Sequence, residues 1–424
     1  MKYKLSVIPA VSHVFKESLI YCLVFFIPVN KMISTYLIIA IILFWFLEGK
    51  FKERFKLVVN DKKRVFLFSL SAIYFLYLIG LIFTKNFTYA GFDLQVKLSL
   101  IIFPLIFSTT DFKYYKNENI FKVLTYFITG VVLNTLICLI SAAYQYFFKD
   151  HDTGHFLYAR LSGTMGFHPT YLAMYFNFAI MAMLTMLFND IHYTAAKYKN
   201  RFKIYIVFLS IVIILLSSKA GIISMLLTYL IFIIYLIIKQ KRLKLGVSLL
   251  AAIIILCIGI FTLVPSSLNR LKVAFSVVSQ NSNDIKETGE STSDRILIWK
   301  ASTDIIKDNF IMGVGTGDVK DVLMEKYKEK KLWFTYDHKL NAHNQFLQTF
   351  ISIGILGFLT LLASIILPLI YAIKRNNMIY VFFLLIFFIN ILVESMLENQ
   401  AGVVFYAFFS SFLLMVSFKK TITD

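Results

Sequence analysis

Residues 203–238 read KIYIVFLSIVIILLSSKAGIISMLLTYLIFIIYLII, two apolar runs parted only by Ser217-Ser218-Lys219-Ala220-Gly221. The runs at 203–218 and 220–238 are apolar on every helical face, which a helix bathed in water does not tolerate. A bilayer core of roughly 30 Å takes about 20 apolar helical residues. The stretch therefore reads as two membrane spans joined by a tight turn that holds one cation. The same pattern recurs outward from it, near 64–83, 121–148, 169–189, 245–264, 343–373, 378–394 and 401–418. Two further runs lie near 14–29 and 32–48, parted by Pro28-Val29-Asn30-Lys31, and one near 92–108 carries Gln95 and Lys97. The expectation is an all-α membrane protein of about twelve transmembrane helices.

Composition supports this class. Of 424 residues, 58% are hydrophobic and only 16% charged, and the mean hydropathy is +0.74, outside the range of an ordinary soluble domain. The first run is followed so directly by a second that it is expected to stay in the protein rather than be cleaved as a signal peptide. Cys22, Cys138 and Cys257 each sit inside an apolar run and read as small buried hydrophobes. No His, Cys, Asp or Glu set has the spacing of metal ligands, so no metal and no other cofactor is expected.

A net charge of +19 on a soluble protein would point to nucleic acid. Here the placement of the cations points to the membrane instead. With the N-terminus inside, the loops on the cytoplasmic face hold 25 lysines and arginines, against five in the short loops opposite. Such a bias orients membrane proteins, and it predicts cytoplasmic termini, an even number of spans, and membrane lipids rather than nucleic acid as surroundings.

The long polar segment leaves the lipid on the other face. The organisation expected is helices one to nine over residues 1–264, a loop region over 265–342, and helices ten to twelve over 343–424, as one membrane domain. Within the loop, Ser279 to Asp284 and Lys286 to Asp294 have too little apolar surface to pack. Ile298, Ala301 and Ile305 recur at helical spacing after Ser293 or Asp294 as N-cap, which predicts an amphipathic helix against the membrane face. Met312 to Gly317 is glycine-rich, but it follows no strand and lacks the Lys-Ser/Thr of a phosphate loop, so it reads as a turn.

The candidate chemistry gathers on the same face. His343, in Asn341-Ala342-His343-Asn344-Gln345, is expected in the first turn of a long apolar helix, and imidazole is suited to taking a proton near neutral pH. The orientation brings Arg160, His168, Lys219, Arg295, Glu394 and Glu398 to that side, each beside a helix end. Cations that hold phosphate and a His or Glu that takes a proton would suit an anionic lipid-linked substrate. A transporter or flippase of such a lipid would also place cations at helix breaks, but those proteins are commonly built from repeats, and none is visible here.

These segments resemble the O-antigen ligase and polymerase superfamily, bacterial membrane glycosyltransferases. His343-Asn344, nine intervening residues and Gly354-Ile355-Leu356-Gly357 match the family's His-[Asn/Ser/Gln]-x9-Gly-x2-Gly signature. Arg160 with Gly166-Phe167-His168-Pro169, Asp294-Arg295 with Trp299, and Gly313-Val314-Gly315 resemble three further family stretches in order, and the likeness covers roughly residues 155–415. Where the family commonly has Ser-Arg-Gly/Ala, this chain has Ser218-Lys219-Ala220, which keeps the charge without the bidentate fork.

The resemblance implies a donor glycan on undecaprenyl pyrophosphate and an acceptor on lipid A core or another glycan. It further implies work on the periplasmic side of a bacterial inner membrane, with inversion and without nucleotide sugar or metal. On that reading His343 is the base, Arg295 stabilises the leaving pyrophosphate, and Glu394 orients His343 or contacts sugar. Lys219, Arg160, His168 and Asn344 would bind substrate. A polymerase, which extends a lipid-linked glycan, is the alternative to a ligase within the superfamily.

Overall fold

The computed structural model describes residues 16–110, 117–188, 192–263, 287 and 291–418, so the polar run 279–284 and positions 286 and 288–290 lie outside the described residues. Every regular element among the described residues is helical. A helix lies in each expected apolar run, and among the described residues seven are long and apolar enough to cross a membrane, or eight if one bent pair is counted.

Several of the remaining helices are short, bent or charged. Met378–Ile391 has 14 residues, about 21 Å of helix. Lys31–Leu47 turns through 99° into Phe51–Asn60. His192–Leu215 carries Lys199, Arg201 and Lys203.

Two helices make the centre. In Pro169–Phe188 and in Gln400–Ser417, 89% of the apolar window is buried. They interlock through aromatic rings, Tyr175 on Phe405 at 4.7 Å and Phe178 on Phe409 at 4.8 Å between centroids, with Phe127 adding a third contact to Phe409 at 4.9 Å. Edge-to-face and tilted ring packing of this kind adds to the burial itself. Peripheral helices reverse the usual pattern. Lys219–Ile238 exposes Ile223, Leu227, Leu230, Ile234 and Ile238 at spacings of three and four residues, an apolar outer face that lipid rather than water would solvate.

The span expected at 92–108 accommodates its lysine. Lys97 is wholly buried in Phe87–Lys97, paired with Asp93 one turn earlier and with Glu398 at 3.0 Å. Buried charges persist only when paired in this way.

A second, smaller core lies in the segment between the spans. Helix Ser291–Asp308 begins earlier than the N-cap expected at Ser293 or Asp294. Its apolar face is covered by protein, which corrects the expectation that it lies on the membrane. Ile298, Ala301 and Ile305 are at most 1% exposed, packed with Val319, Leu323 and Tyr327 of helix Val319–Glu329 and with Ile351.

The two glycine motifs meet at one point. Helix Gln345–Lys374 breaks at Ile353 and Gly354, the latter at φ +66° and ψ −162°, a conformation essentially reserved for glycine. The break frees backbone groups that the 310–315 turn takes up. Val314 N donates to Ile351 O at 2.8 Å, Gly315 N to Ser352 O at 3.0 Å, and Ile355 N to Phe310 O at 3.0 Å. A Cβ on Gly313 would meet Ser352 O at 2.5 Å, and one on Gly354 would overlap Ile311 O. The glycines of Gly313-Val314-Gly315 and the first glycine of the Gly-x2-Gly motif, Gly354, thus dock the outer segment onto a kinked helix.

Candidate active site

His343 stands just before its helix, not in the first turn as expected. Asn344 is the N-cap of Gln345–Lys374, and His343 holds φ +44°, in the left-handed region that non-glycine residues seldom occupy. That conformation is over-determined by its neighbours. His343 N donates to Asn341 Oδ1 at 2.9 Å, Ala342 N donates to Gln348 Oε1 at 3.1 Å, and Trp299 Nε1 donates to Ala342 O at 3.1 Å. Strain held in place around a polar side chain is a feature of functional sites.

The side chain meets two others. His343 Nδ1 donates to Glu394 Oε2 at 3.2 Å, and Arg295 Nη2 lies 3.4 Å from the same oxygen. His343 and Arg295 keep about a fifth of their side-chain surface exposed, and Glu394 only 8%. Burial by itself would raise the Glu394 carboxyl, but the hydrogen bond from His343 and the charges of His343, Arg295 and His168 outweigh it and hold it at about 2. Glu394 is therefore an anion at any physiological pH. With Nδ1 engaged by Glu394, Nε2 of His343 has no partner among the described residues, and in the neutral ring it is the nitrogen that carries the lone pair. Arg295 is similarly incomplete, for its Nε is buried with no hydrogen-bond partner among the described residues. An unmet guanidinium N–H is costly, and an anionic ligand would satisfy it.

The loop that carries Glu394 is braced from behind by Glu398, which the sequence placed on the same face, and by Gln345 and Lys97, which it did not. Gln345 Nε2 donates to Glu398 Oε1 at 3.2 Å while Leu397 N donates to Gln345 Oε1 at 2.6 Å, which ties the start of the His343 helix to the 394–398 segment. Glu398 is in turn held by Lys97. The Asp93–Lys97 spacing of four residues was visible as a helical pair, but nothing in the sequence joined it to Glu398, 301 positions away from Lys97 in the numbering.

The other expected residues divide. Lys219 opens helix Lys219–Ile238 and donates from Nζ to Thr292 Oγ1 at 2.7 Å. Thr292 and Arg295 are three apart on one helix, so the two cations flank one edge of it. His168 is exposed, accepts from Thr170 N at 3.4 Å through Nδ1, and lies within electrostatic reach of Glu394, Arg295 and His343. Asn344 faces the scaffold instead. Its Oδ1 caps Phe346 N and Leu347 N and its Nδ2 donates to Leu392 O at 3.0 Å, so its amide is committed to the fold. Arg160 is exposed and ion-paired with Asp152, with no contact to His343, Arg295 or Glu394. A cleft of about 1010 Å³, lined by Lys85, Asn86, Asn309, Asp321, Lys328 and Tyr336 among others, shares no residue with the His343 site.

The fold and the site together define a multi-pass membrane protein with a His–Glu pair and an arginine at a helix boundary. Residues 204–362 match the family model described as O-antigen ligase, which supports the likeness of this stretch to that superfamily. No curated protein matches the chain. The matched segment contains Lys219, Arg295, His343 and Asn344 and excludes Arg160, His168 and Glu394.

Proposed function

We propose that this protein is a ligase-type glycosyltransferase that moves a glycan from undecaprenyl pyrophosphate to a hydroxyl of lipid A core, at the periplasmic face of the inner membrane, with both of its own termini cytoplasmic. The observation that carries the reading is the pairing of an oriented base with an unsatisfied cation. His343 is held through Nδ1 by ionised Glu394, and beside it Arg295 keeps an unmet N–H.

In this mechanism the acceptor hydroxyl gives its proton to His343 Nε2 as its oxygen bonds to the anomeric carbon. The bond from that carbon to the pyrophosphate oxygen breaks, and undecaprenyl pyrophosphate leaves with the electron pair. One displacement inverts the anomeric centre. Arg295 stabilises the charge that grows on the leaving group, Lys219 and His168 help to hold the phosphates, and Glu394 stabilises the imidazolium. A positioned general base is worth about 10²–10⁴ in rate. No step requires a metal.

The test is transfer in vitro with purified protein, lipid-pyrophosphate-linked glycan and lipid A core, in EDTA. Transfer to the core that His343→Ala and Arg295→Ala both abolish is the expected result. Chains that lengthen on the lipid carrier would make the protein a polymerase. Loss of transfer in EDTA would overturn the metal-independent mechanism. Movement of the lipid-linked glycan across a bilayer, unchanged, would overturn the enzyme reading.

A further inference from the structure

Helix Phe51–Asn60 turns by 99° from helix Lys31–Leu47. The earlier helix is apolar outward, with Ile39, Leu43, Phe46 and Leu47 exposed, as a helix facing acyl chains would be. With the apolar run at 32–48 taken as a span, as its sequence predicts, a helix at 99° to it lies along the membrane surface, and its faces show which way it is turned. Phe51, Phe55 and Val59, at i, i+4 and i+8, form one exposed apolar stripe, 38%, 46% and 76% exposed. The Phe51 ring packs at a tilt against Trp45 and Phe46, with centroids at 5.2 and 5.7 Å, so the apolar surface continues around the corner from the first helix to the second.

Charge borders the stripe. Lys52 and Lys56 lie one position along from Phe51 and Phe55, and Lys50 and Lys62 flank the helix ends. All four are exposed and make no ion pair among the described residues. The nearby acids are otherwise engaged: Glu48 with Arg54 at 2.6 Å and Asp61 with Arg64 at 3.6 Å, leaving Glu53 as the one exposed carboxylate of the helix. The combination of an in-plane apolar stripe and unpaired lysines is complementary to a surface with acyl chains below and phosphates above.

We propose that helix Phe51–Asn60 docks on the headgroup layer of an anionic phospholipid leaflet, with Phe51, Phe55 and Val59 in the acyl boundary and Lys52, Lys56 and Lys62 on the phosphates. The inference does not depend on the transfer reaction. Each lysine near an anionic surface contributes roughly fivefold in binding.

Two measurements on the full chain test it. The first places a spin label at Val59→Cys or at Asn60→Cys, with the three native cysteines replaced by alanine, in nanodiscs of phosphatidylcholine and phosphatidylglycerol. The expected result is a Val59 label reached by oxygen and an Asn60 label reached by a water-soluble nickel chelate. Equal access of the chelate to both labels would overturn the proposal, and so would a Val59 label shielded from both reagents, which would show a protein interface. The second counts phosphatidylglycerol retained by detergent-purified protein in native mass spectrometry. The variant carrying Lys52→Gln, Lys56→Gln and Lys62→Gln should bind it about tenfold or more weakly, with phosphatidylcholine unchanged and the difference narrowing in salt. Equal phosphatidylglycerol retention by the variant and the wild type would overturn the assignment of these lysines.

Discussion

Two charged clusters share the segment that runs from Glu394 to Glu398, and they are built on opposite plans. Lys97 with Asp93 and Glu398 is closed. The ammonium is fully buried, each carboxylate contacts it, and Gln345 takes a further position on Glu398. His343 with Glu394 and Arg295 is open. One imidazole nitrogen and the Arg295 Nε have no partner among the described residues, and two of the three side chains reach the surface. Buried charge alone does not mark a site, for a fully satisfied cluster is what scaffolding requires. The mark is donor and acceptor capacity held in place and left unused.

The sharpest way to break this contrast is to remove His343. The open cluster should lose its chemistry and keep its fold, so His343→Ala is expected to lower transfer by about 10³-fold in a protein that still folds, with its unfolding midpoint lowered only by the loss of the bond to Glu394. A loss of fold would place His343 in the scaffold with Lys97. The closed cluster should answer in the opposite way. Lys97→Met leaves two carboxylates buried without a cation and should cost about 3–5 kcal/mol in detergent unfolding, while adding Asp93→Asn and Glu398→Gln should restore most of it. No gain from the added neutral substitutions would mean that the triad is not held together by charge.

Glu394 belongs to both plans, as a buried anion and as the partner of His343. Its carboxyl is lowered in the folded protein from 4.5 to about 2, so its ionised form stabilises the fold above pH 4.5, and that contribution fades as the pH falls through about 2. The part that depends on pH is worth about 3 kcal/mol. Unfolding measured at about pH 6 and about pH 3 should show a larger drop for wild type than for Glu394→Gln, and equal drops would remove Glu394 from the ion cluster. The smallest effect is expected at the periphery. Arg160→Ala breaks an exposed, solvent-screened pair with Asp152 and should leave stability near that of the wild type and transfer within a few-fold of it. A loss comparable with that of Arg295→Ala would restore Arg160 to the site.

The sequence carried the membrane class and much of the candidate site, because apolar runs, loop cations and polar residues at helix ends are local signals. His343, Arg295, Glu394 and Lys219 were all legible in that way. It also showed an amphipathic face on 298–305, but not what covers that face, since protein and lipid are equally apolar partners. Asn344 and Arg160 looked alike as polar residues on the same side, and only their contacts separate a helix cap and a surface ion pair from a ligand contact.

By itself, then, the sequence determined that this chain is helical, that most of it belongs in lipid, and which polar side chains stand at helix ends. The tertiary structure alone decided that Lys97 meets Glu398, that the turn at Gly313 seats on the break at Gly354, and that Glu394 holds His343 by Nδ1. Those contacts join residues far apart in the chain. Hydropathy and helical period report what surrounds one segment, and they carry no information about which segments pack together.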